Sequence, residues 1–431
     1  MKTRMSRKPN RRDMLKTAAT LAAGYLGGDR VFPARAEEAK ALAARSFAEI
    51  DSLLHAAIRT GEVPGVVVLA ATDGGIVYEG VFGQRRLNGG PAMTRDTVFR
   101  IASMVKLITS VAALQLVEQE KLALDAPAPS VESEPEDPQV LDGFDAKGVP
   151  QLRPAKRPIL LRHLLTHTSG LTYRLWDAKA LRYFNTLDHM PKGKHSKFPH
   201  TPLMFDPGER WQYGPSIDRV GRIVAKISGE PIGDYLRNHI FEPLGMKDTA
   251  FVISPEQRGR EANVHRREAN GTLRPLPQEK PPPPHETYSG GGGIYSTAPD
   301  YLTLLRALMH GGTLNGVQIL RPETVALMGQ NQIGDVSVGL LHTTEPWVSN
   351  DVDFFPGITR KWGYGHMLTM QPVPGGRSAG SMMWGGIYNT FYWIDPVRSL
   401  AAVFMTQVIP FADGRAVRLY RQFEHALYTA T

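Results

Sequence analysis

Ser103 and Lys106 stand three residues apart at the start of an apolar run, Arg100-Ile101-Ala102-Ser103-Met104-Val105-Lys106-Leu107-Ile108-Thr109-Ser110-Val111. On a helix this spacing puts a hydroxyl and an amine on one face. Leu107, Val111, Leu114 and Val117 continue with the period of a buried helix, so Lys106 is expected inside the protein rather than in water. Desolvation disfavours an ammonium, which predicts a lowered pKa for Lys106 and an amine able to take the Ser103 proton. Ser103 sits near the positive end of the helix, where its backbone N–H can face developing negative charge. This is the chemistry of a serine nucleophile in acyl transfer. A serine N-cap followed by a solvated lysine is the commoner meaning of an isolated Ser-x-x-Lys, so the surrounding chain must decide.

The elements that would position this pair lie at both ends of the chain. Residues 37–60 read as a helix, with Leu42, Phe47, Ile50, Leu54 and Ile58 on one period and Gly61 and Pro64 ending it. Val66 to Ala71 and Ile76 to Val81 flank Asp73-Gly74-Gly75 and predict a strand pair. Met382 to Tyr388, Thr390 to Ile394 and Leu400 to Gln407 predict three further strands, and Arg415 to Tyr428 an amphipathic helix. Between the ends the chain is mostly helical, apart from a proline-rich and acidic stretch at 126–158 expected to be a surface loop. Four consecutive prolines, Pro281 to Pro284, read as a rigid linker back to the first domain. The expected architecture is one α/β domain split in sequence, residues 37–115 and 286–431, with a mostly helical domain inserted at 116–285.

Charge narrows the function further. The chain of 431 residues carries a formal net charge of +8, which by itself suggests a polyanionic partner. Nine basic and two acidic side chains fall in residues 1–36, a net of +7, so the rest is nearly neutral and no nucleic acid is expected. Those 36 residues read as an export signal of the twin-arginine type: Arg11-Arg12, a mild apolar run from Thr17 to Gly28, and a small-x-small site at Ala34-Arg35-Ala36. The apolar run is too short to span a bilayer, so the expectation is a periplasmic or secreted protein without a membrane anchor. With no cysteine, a large core must hold the fold without disulfides.

Two other arrangements could do chemistry, and both are set aside on context. His163 and His167, four residues apart, have Leu164 where a zinc-protease helix would place its glutamate, so no metal is expected. Gly376-Arg377-Ser378-Ala379-Gly380 satisfies Gly-x-Ser-x-Gly, and Asp395 or Asp413 and then His425 follow in the order an α/β-hydrolase requires. A nucleophile elbow needs a strand before it and a helix after it. Ser378 instead follows Gln371-Pro372-Val373-Pro374 and precedes a strand, which predicts a surface loop.

Ser103-x-x-Lys106, Leu164-Leu165-Thr166-His167-Thr168-Ser169-Gly170-Leu171, Pro207-Gly208-Glu209, Tyr213 and Trp384-Gly385-Gly386, in this order, resemble the serine β-lactamase-related family of class C β-lactamases, penicillin-binding DD-peptidases and carboxylesterase relatives. The resemblance spans roughly residues 45–430 and implies an antiparallel sheet flanked by helices, with the helical insertion. It implies an acyl-enzyme on Ser103, proton transfer shared by Lys106 and Tyr213 without deciding between them, and an oxyanion held by the backbone N–H groups of Ser103 and Ile387. Tyr173, Trp384, Gly385 and Gly386 would face a small ester or acyl substrate, with no cofactor.

Two departures from the family's usual pattern bear on the substrate. Trp384-Gly385-Gly386 stands where Lys-Thr-Gly or His-Thr-Gly is usual, and Tyr213-Gly214-Pro215 where Tyr-x-Asn is usual. Loss of a cation and of an amide points to neutral esters bounded by an apolar Trp384 wall. The alternatives that share the site are a β-lactamase, a D-amino-acid peptidase or amidase, and an acyltransferase. A silent envelope-binding protein would have no chemical reason to retain Ser103, Lys106 and Tyr213 together.

Overall fold

Gly65–Thr72 (β1) is apolar at every position up to Ala71, and this follows from burial on both faces and both edges. It pairs antiparallel with Gly75–Gly83 (β2) on one side and with Leu400–Met405 (β7) on the other, in a register that sets Ala70 opposite Ala402 and Ala71 opposite Ala401. With Arg360–Trp362 (β3), Met367–Thr369 (β4), Met382–Gly386 (β5) and Thr390–Asp395 (β6), these form a seven-stranded antiparallel sheet in the order β3-β4-β5-β6-β7-β1-β2. Both ends of the chain therefore meet in one sheet. The structure is a computed structural model that describes residues 47–131, 138–189, 201–278 and 288–431. The stretch read as an export signal, residues 37–46 of the expected opening helix and the four prolines read as a linker lie outside the described residues.

Strand β6 shows how the sheet is covered. Phe391 and Trp393 point to one face, where Tyr420 of the C-terminal helix Gly414–Ala430 stacks on Phe391, and Tyr420 and Phe423 meet Trp393 edge to face. Tyr392 points to the other, where Tyr301 of helix Ala298–Met309 lies 5.4 Å from it, centroid to centroid. Helix Val105–Glu118 belongs to that second layer, tied in by the Tyr301 hydroxyl donating to the Met104 carbonyl at 2.9 Å. It is buried from Val105 to Leu116 because it also packs against helix Ser216–Ser228, so its polar members Lys106, Thr109, Ser110 and Gln115 are buried with the apolar ones.

The acidic stretch at 126–158 is not wholly a loop. Gln139–Phe144 and Pro150–Pro154 form a hairpin whose turn is held by Asp145 accepting from the N–H groups of Lys147 and Val149. Only Val140, Leu141 and Pro150 are buried in it, so the apolar alternation that marks a strand is missing from its sequence. The 3-10 turn Ala102–Met104 precedes helix Val105–Glu118 and carries Ser103 at the seam between the sheet layer and the helices.

Candidate active site

Ser103 follows Ala102, whose φ of +45° is a left-handed conformation rare for a residue with a side chain. This bend turns the chain from Ile101 into the helix and leaves Ser103 half-exposed beside a buried Lys106. The Lys106 ammonium donates to Ser103 Oγ at 3.2 Å, to the Tyr173 hydroxyl at 3.3 Å and to the Gly291 carbonyl at 2.8 Å. Three acceptors match the three protons of an ammonium. The rings of Tyr213 and Tyr173 lie 5.1 and 5.4 Å from the same nitrogen.

The lowered pKa expected for Lys106 does not hold. Burial presses it downward and is the largest single influence, yet Tyr173, Tyr213 and Asp218 together raise it above the ordinary lysine value. Lys106 thus rests as a cation. The cost of burying that charge is offset by groups from three distant segments, which an apolar helical period cannot reveal. Burial first, and Asp218 in addition, raises the Tyr173 hydroxyl despite the neighbouring cation.

Tyr213 is held from two sides. The Leu164 to Leu171 segment makes a tight turn beneath it, with His167 at φ +57° and its ring 4.7 Å from that of Tyr213. A Cβ at Gly214 would lie 2.0 Å from the Leu171 carbonyl oxygen, so glycine at 214 lets the Tyr213 segment pass close under residues 171–173, where Tyr173 N–H donates to the Tyr213 carbonyl. From the sheet side, Trp384 Nε1 donates to the Tyr213 hydroxyl at 3.0 Å. Trp384 is 2% exposed and packs on Trp362, so it is not the open apolar wall expected from sequence. Its indole reaches the substrate side only through Tyr213. Sequence reading missed this because strand alternation gives the face of a residue but not the partner of its polar atom.

Gly385 and Gly386 serve close approach. A Cβ on Gly386 would lie 2.3 Å from the Ile101 carbonyl oxygen, so the end of β5 rests directly on the turn that carries Ser103. Ile387 follows at once and is half-buried. A cavity of about 280 Å³ opens beside it, lined by Arg100, Arg266, Trp347, Ile387 and Tyr388 among others, with Trp347 the most exposed aromatic at its rim. Larger grooves, along the C-terminal helix and beside residues 178–189, lie away from Ser103.

The other two arrangements are structural. His163 Nδ1 accepts from the Leu160 N–H, while His167 is buried among aromatic rings. Ser378 lies in a loop with its N–H on Asp395, whereas His425 binds the Gly375 carbonyl and Asp413 pairs with Arg267, so no Ser-His-Asp chain forms. Asp218, which the sequence did not single out, accepts from the Tyr173 hydroxyl at 3.4 Å.

Residues 50–427 match the family described as Beta-lactamase. The chain belongs to the beta-lactamase family. Within it, the chain is 32% identical over 410 residues to the ML-236A carboxylate methylbutanoyltransferase of Penicillium citrinum, covering 91% of this chain and 96% of that protein. It is 30% identical to the lovastatin esterase of Penicillium rubens, over 88% of this chain and 98% of the esterase. Among solved structures of the fold, unliganded simvastatin synthase from Aspergillus terreus superposes with a TM-score of 0.75 at 28% identity, over 89% of this chain and 98% of that one. Acyl transfer and ester cleavage are thus the named activities of this beta-lactamase family member's relatives.

Proposed function

We propose that this chain is a serine hydrolase that cleaves small carboxylic esters through an acyl-enzyme on Ser103. The observation that carries the reading is the contact of the buried Lys106 ammonium with Ser103 Oγ at 3.2 Å, inside a pocket that also holds Tyr213. Once the site has lost one proton, Ser103 Oγ attacks the ester carbonyl and its proton passes to the Tyr213 oxygen. Negative charge arriving there meets the Trp384 N–H and the Lys106 cation. The carbonyl oxygen becomes an oxyanion facing the N–H groups of Ser103 and Ile387. The ester C–O bond then breaks, the alcohol leaves with the proton held by Tyr213, and water repeats the sequence in reverse on the acyl-enzyme.

Esters are favoured over β-lactams because Trp384-Gly385-Gly386 and Pro215 bring neither cation nor amide to this side of the site. An ester also demands less leaving-group protonation than an amide. A second reading, transfer of the acyl group to an alcohol rather than to water, is favoured by the relative named as a methylbutanoyltransferase and by the cavity beside Ile387, which has room for an acceptor. We also propose that the protein acts outside the cytoplasm, from the signal read in residues 1–36; Arg11→Lys with Arg12→Lys should hold it inside, and undiminished export would refute this.

The functional test is mass spectrometry of the protein, Ser103→Ala and Ser378→Ala, each treated with a fluorophosphonate, a short-chain p-nitrophenyl ester or a penicillin. The expected result is labelling on Ser103 alone, and ester turnover at least ~10²-fold above penicillin turnover, the size of one lost charge-assisted contact. Labelling of Ser378, or penicillin consumed as fast as ester, would overturn the reading. Added alcohol diverting the acyl group from water would establish the transfer reaction.

A further inference from the structure

The reaction as proposed makes no use of Asp218, yet its carboxylate joins two of the three acceptors that hold Lys106. Oδ2 accepts from the Tyr173 hydroxyl at 3.4 Å, and Tyr173 in turn accepts from Lys106. Oδ1 accepts from the Gly291 N–H at 3.2 Å and from the Ser289 hydroxyl, while the carbonyl of the same Gly291 accepts from Lys106 at 2.8 Å. The fit leaves no slack. A Cβ at Gly291 would lie 2.9 Å from both carboxylate oxygens, and one at Gly221, on Asp218's own helix, would lie 2.7 Å from the Gly290 Cα. Thr109, on the lysine's helix, donates to the Gly290 carbonyl at 2.6 Å. The glycine run at 290–291 is thus clamped between the helix of Lys106 and the helix of Asp218.

We propose that Asp218 is a positioning residue for acyl transfer, fixing Tyr173 and the Gly291 carbonyl around Lys106 and supplying the countercharge that keeps this cation beside Ser103. The inference rests on the acyl-enzyme reading of Ser103. Helix Ser216–Ser228, which carries Asp218, starts three residues after Tyr213, so the carboxylate and the phenol stand close in the chain.

The consequence is a pH dependence that holds whichever group is the base. Lys106 faces Ser103, Tyr173, Tyr213, the neutral buried His167 and, through Tyr173 and Gly291, Asp218; Arg219 and Arg222 share Asp218's helix. Lys106 or Tyr213 must give up a proton before Ser103 can lose its own, and the negative charge of Asp218 opposes that loss. Its removal makes the loss easier.

The test uses the full chain, p-nitrophenyl butyrate as probe, and butyrate release as the readout of kcat/KM against pH. Asp218→Asn should lower the plateau about 10- to 100-fold through misplacement of Lys106, and should move the acid limb to lower pH by about one unit. Tyr173→Phe should lower kcat by a similar factor, and the double variant should lose little beyond the larger single loss, because both act through one chain of contacts. An unmoved acid limb, or losses that multiply, would overturn the proposal. Should Asp218→Asn not fold, Ser289→Ala loosens the carboxylate without removing it; a lower kcat at unchanged KM supports the role, and kcat within twofold overturns it. Ser103→Ala, run in parallel, separates the two readings: turnover without Ser103 removes the acyl-enzyme itself, whereas an inert Ser103→Ala beside an unmoved limb removes only Asp218.

Discussion

The indole N–H of Trp384 donates to the Tyr213 hydroxyl at 3.0 Å, and neither side chain is more than 2% exposed. An indole nitrogen can only donate, so the Tyr213 oxygen is an acceptor in this contact and is aimed by it. Trp384→Phe keeps an aromatic ring against Trp362 and removes the donor. Turnover of a short-chain ester should fall about 10- to 100-fold, the worth of one aimed hydrogen bond to a charged group, with KM little changed. Steady-state kinetics check this, and equal losses in kcat and affinity for substrate would instead place Trp384 at the substrate.

Gly386 lies under the Ile101 carbonyl, with room for no side chain. Gly386→Ala should cost about 1–3 kcal/mol by overpacking and push Ile387 away from the Ser103 turn, lowering kcat by roughly 10²-fold. Gly385→Ala is the control, because its Cβ would meet Phe391 and the Thr390 carbonyl instead. Chemical denaturation with ester kinetics on the same samples should show similar stability losses for the two and the greater kinetic loss for Gly386→Ala.

Arg377, inside the elbow-like Gly376 to Gly380 sequence, is the residue of that segment with a large structural role. It is 0% exposed, donates to both oxygens of Glu424 at 2.7 and 2.9 Å, and lies over the Trp393 ring on the sheet face opposite Ser103. Glu424→Gln strands a buried guanidinium and should cost about 3–5 kcal/mol. Denaturant titration measures the loss. Fluorophosphonate labelling of the folded fraction should be unchanged.

Buried and partly buried histidines set the acid stability. Burial, as the first cause in each, pushes His163, His265 and His366 down to about 4 from the ordinary 6.5. Above pH 6.5 they are neutral folded or unfolded and cost nothing; as pH falls from 6.5 to 4 the unfolded chain takes up protons that the folded chain refuses, so stability is lost through that window. Asp300, raised to about 6 chiefly by burial, runs the other way, because the folded state protonates it first. His167, which burial holds well below 6.5, adds to the loss, so four groups against one leave stability falling with pH across this window. Urea midpoints measured from pH 7 to pH 4 should fall steadily; a flat profile would contradict the burial of these rings.

What the sequence determined by itself was local. Ser103 and Lys106 share a turn because three residues apart on a helix is a geometric fact. The strands around Ala71, Ile394 and Val403 were legible because residues buried on both faces must be apolar without interruption. The hairpin at 139–154 was not legible, since its strands bury too few side chains to leave a period. The tertiary structure decided the partners. Tyr173, Gly291, Tyr213 and Asp218 gather around Lys106 from 67 to 185 residues further along the chain, and Tyr173, Tyr213 and Asp218 together reverse the pKa shift that burial alone predicts. Trp384 likewise turned from a wall into a donor. A period in the sequence tells which way a side chain points, but the charge state of a buried amine depends on the atoms that meet it, and those are brought together only when helix Ser216–Ser228, the segment of Tyr173 and the glycine run at 290–291 pack around the Lys106 helix.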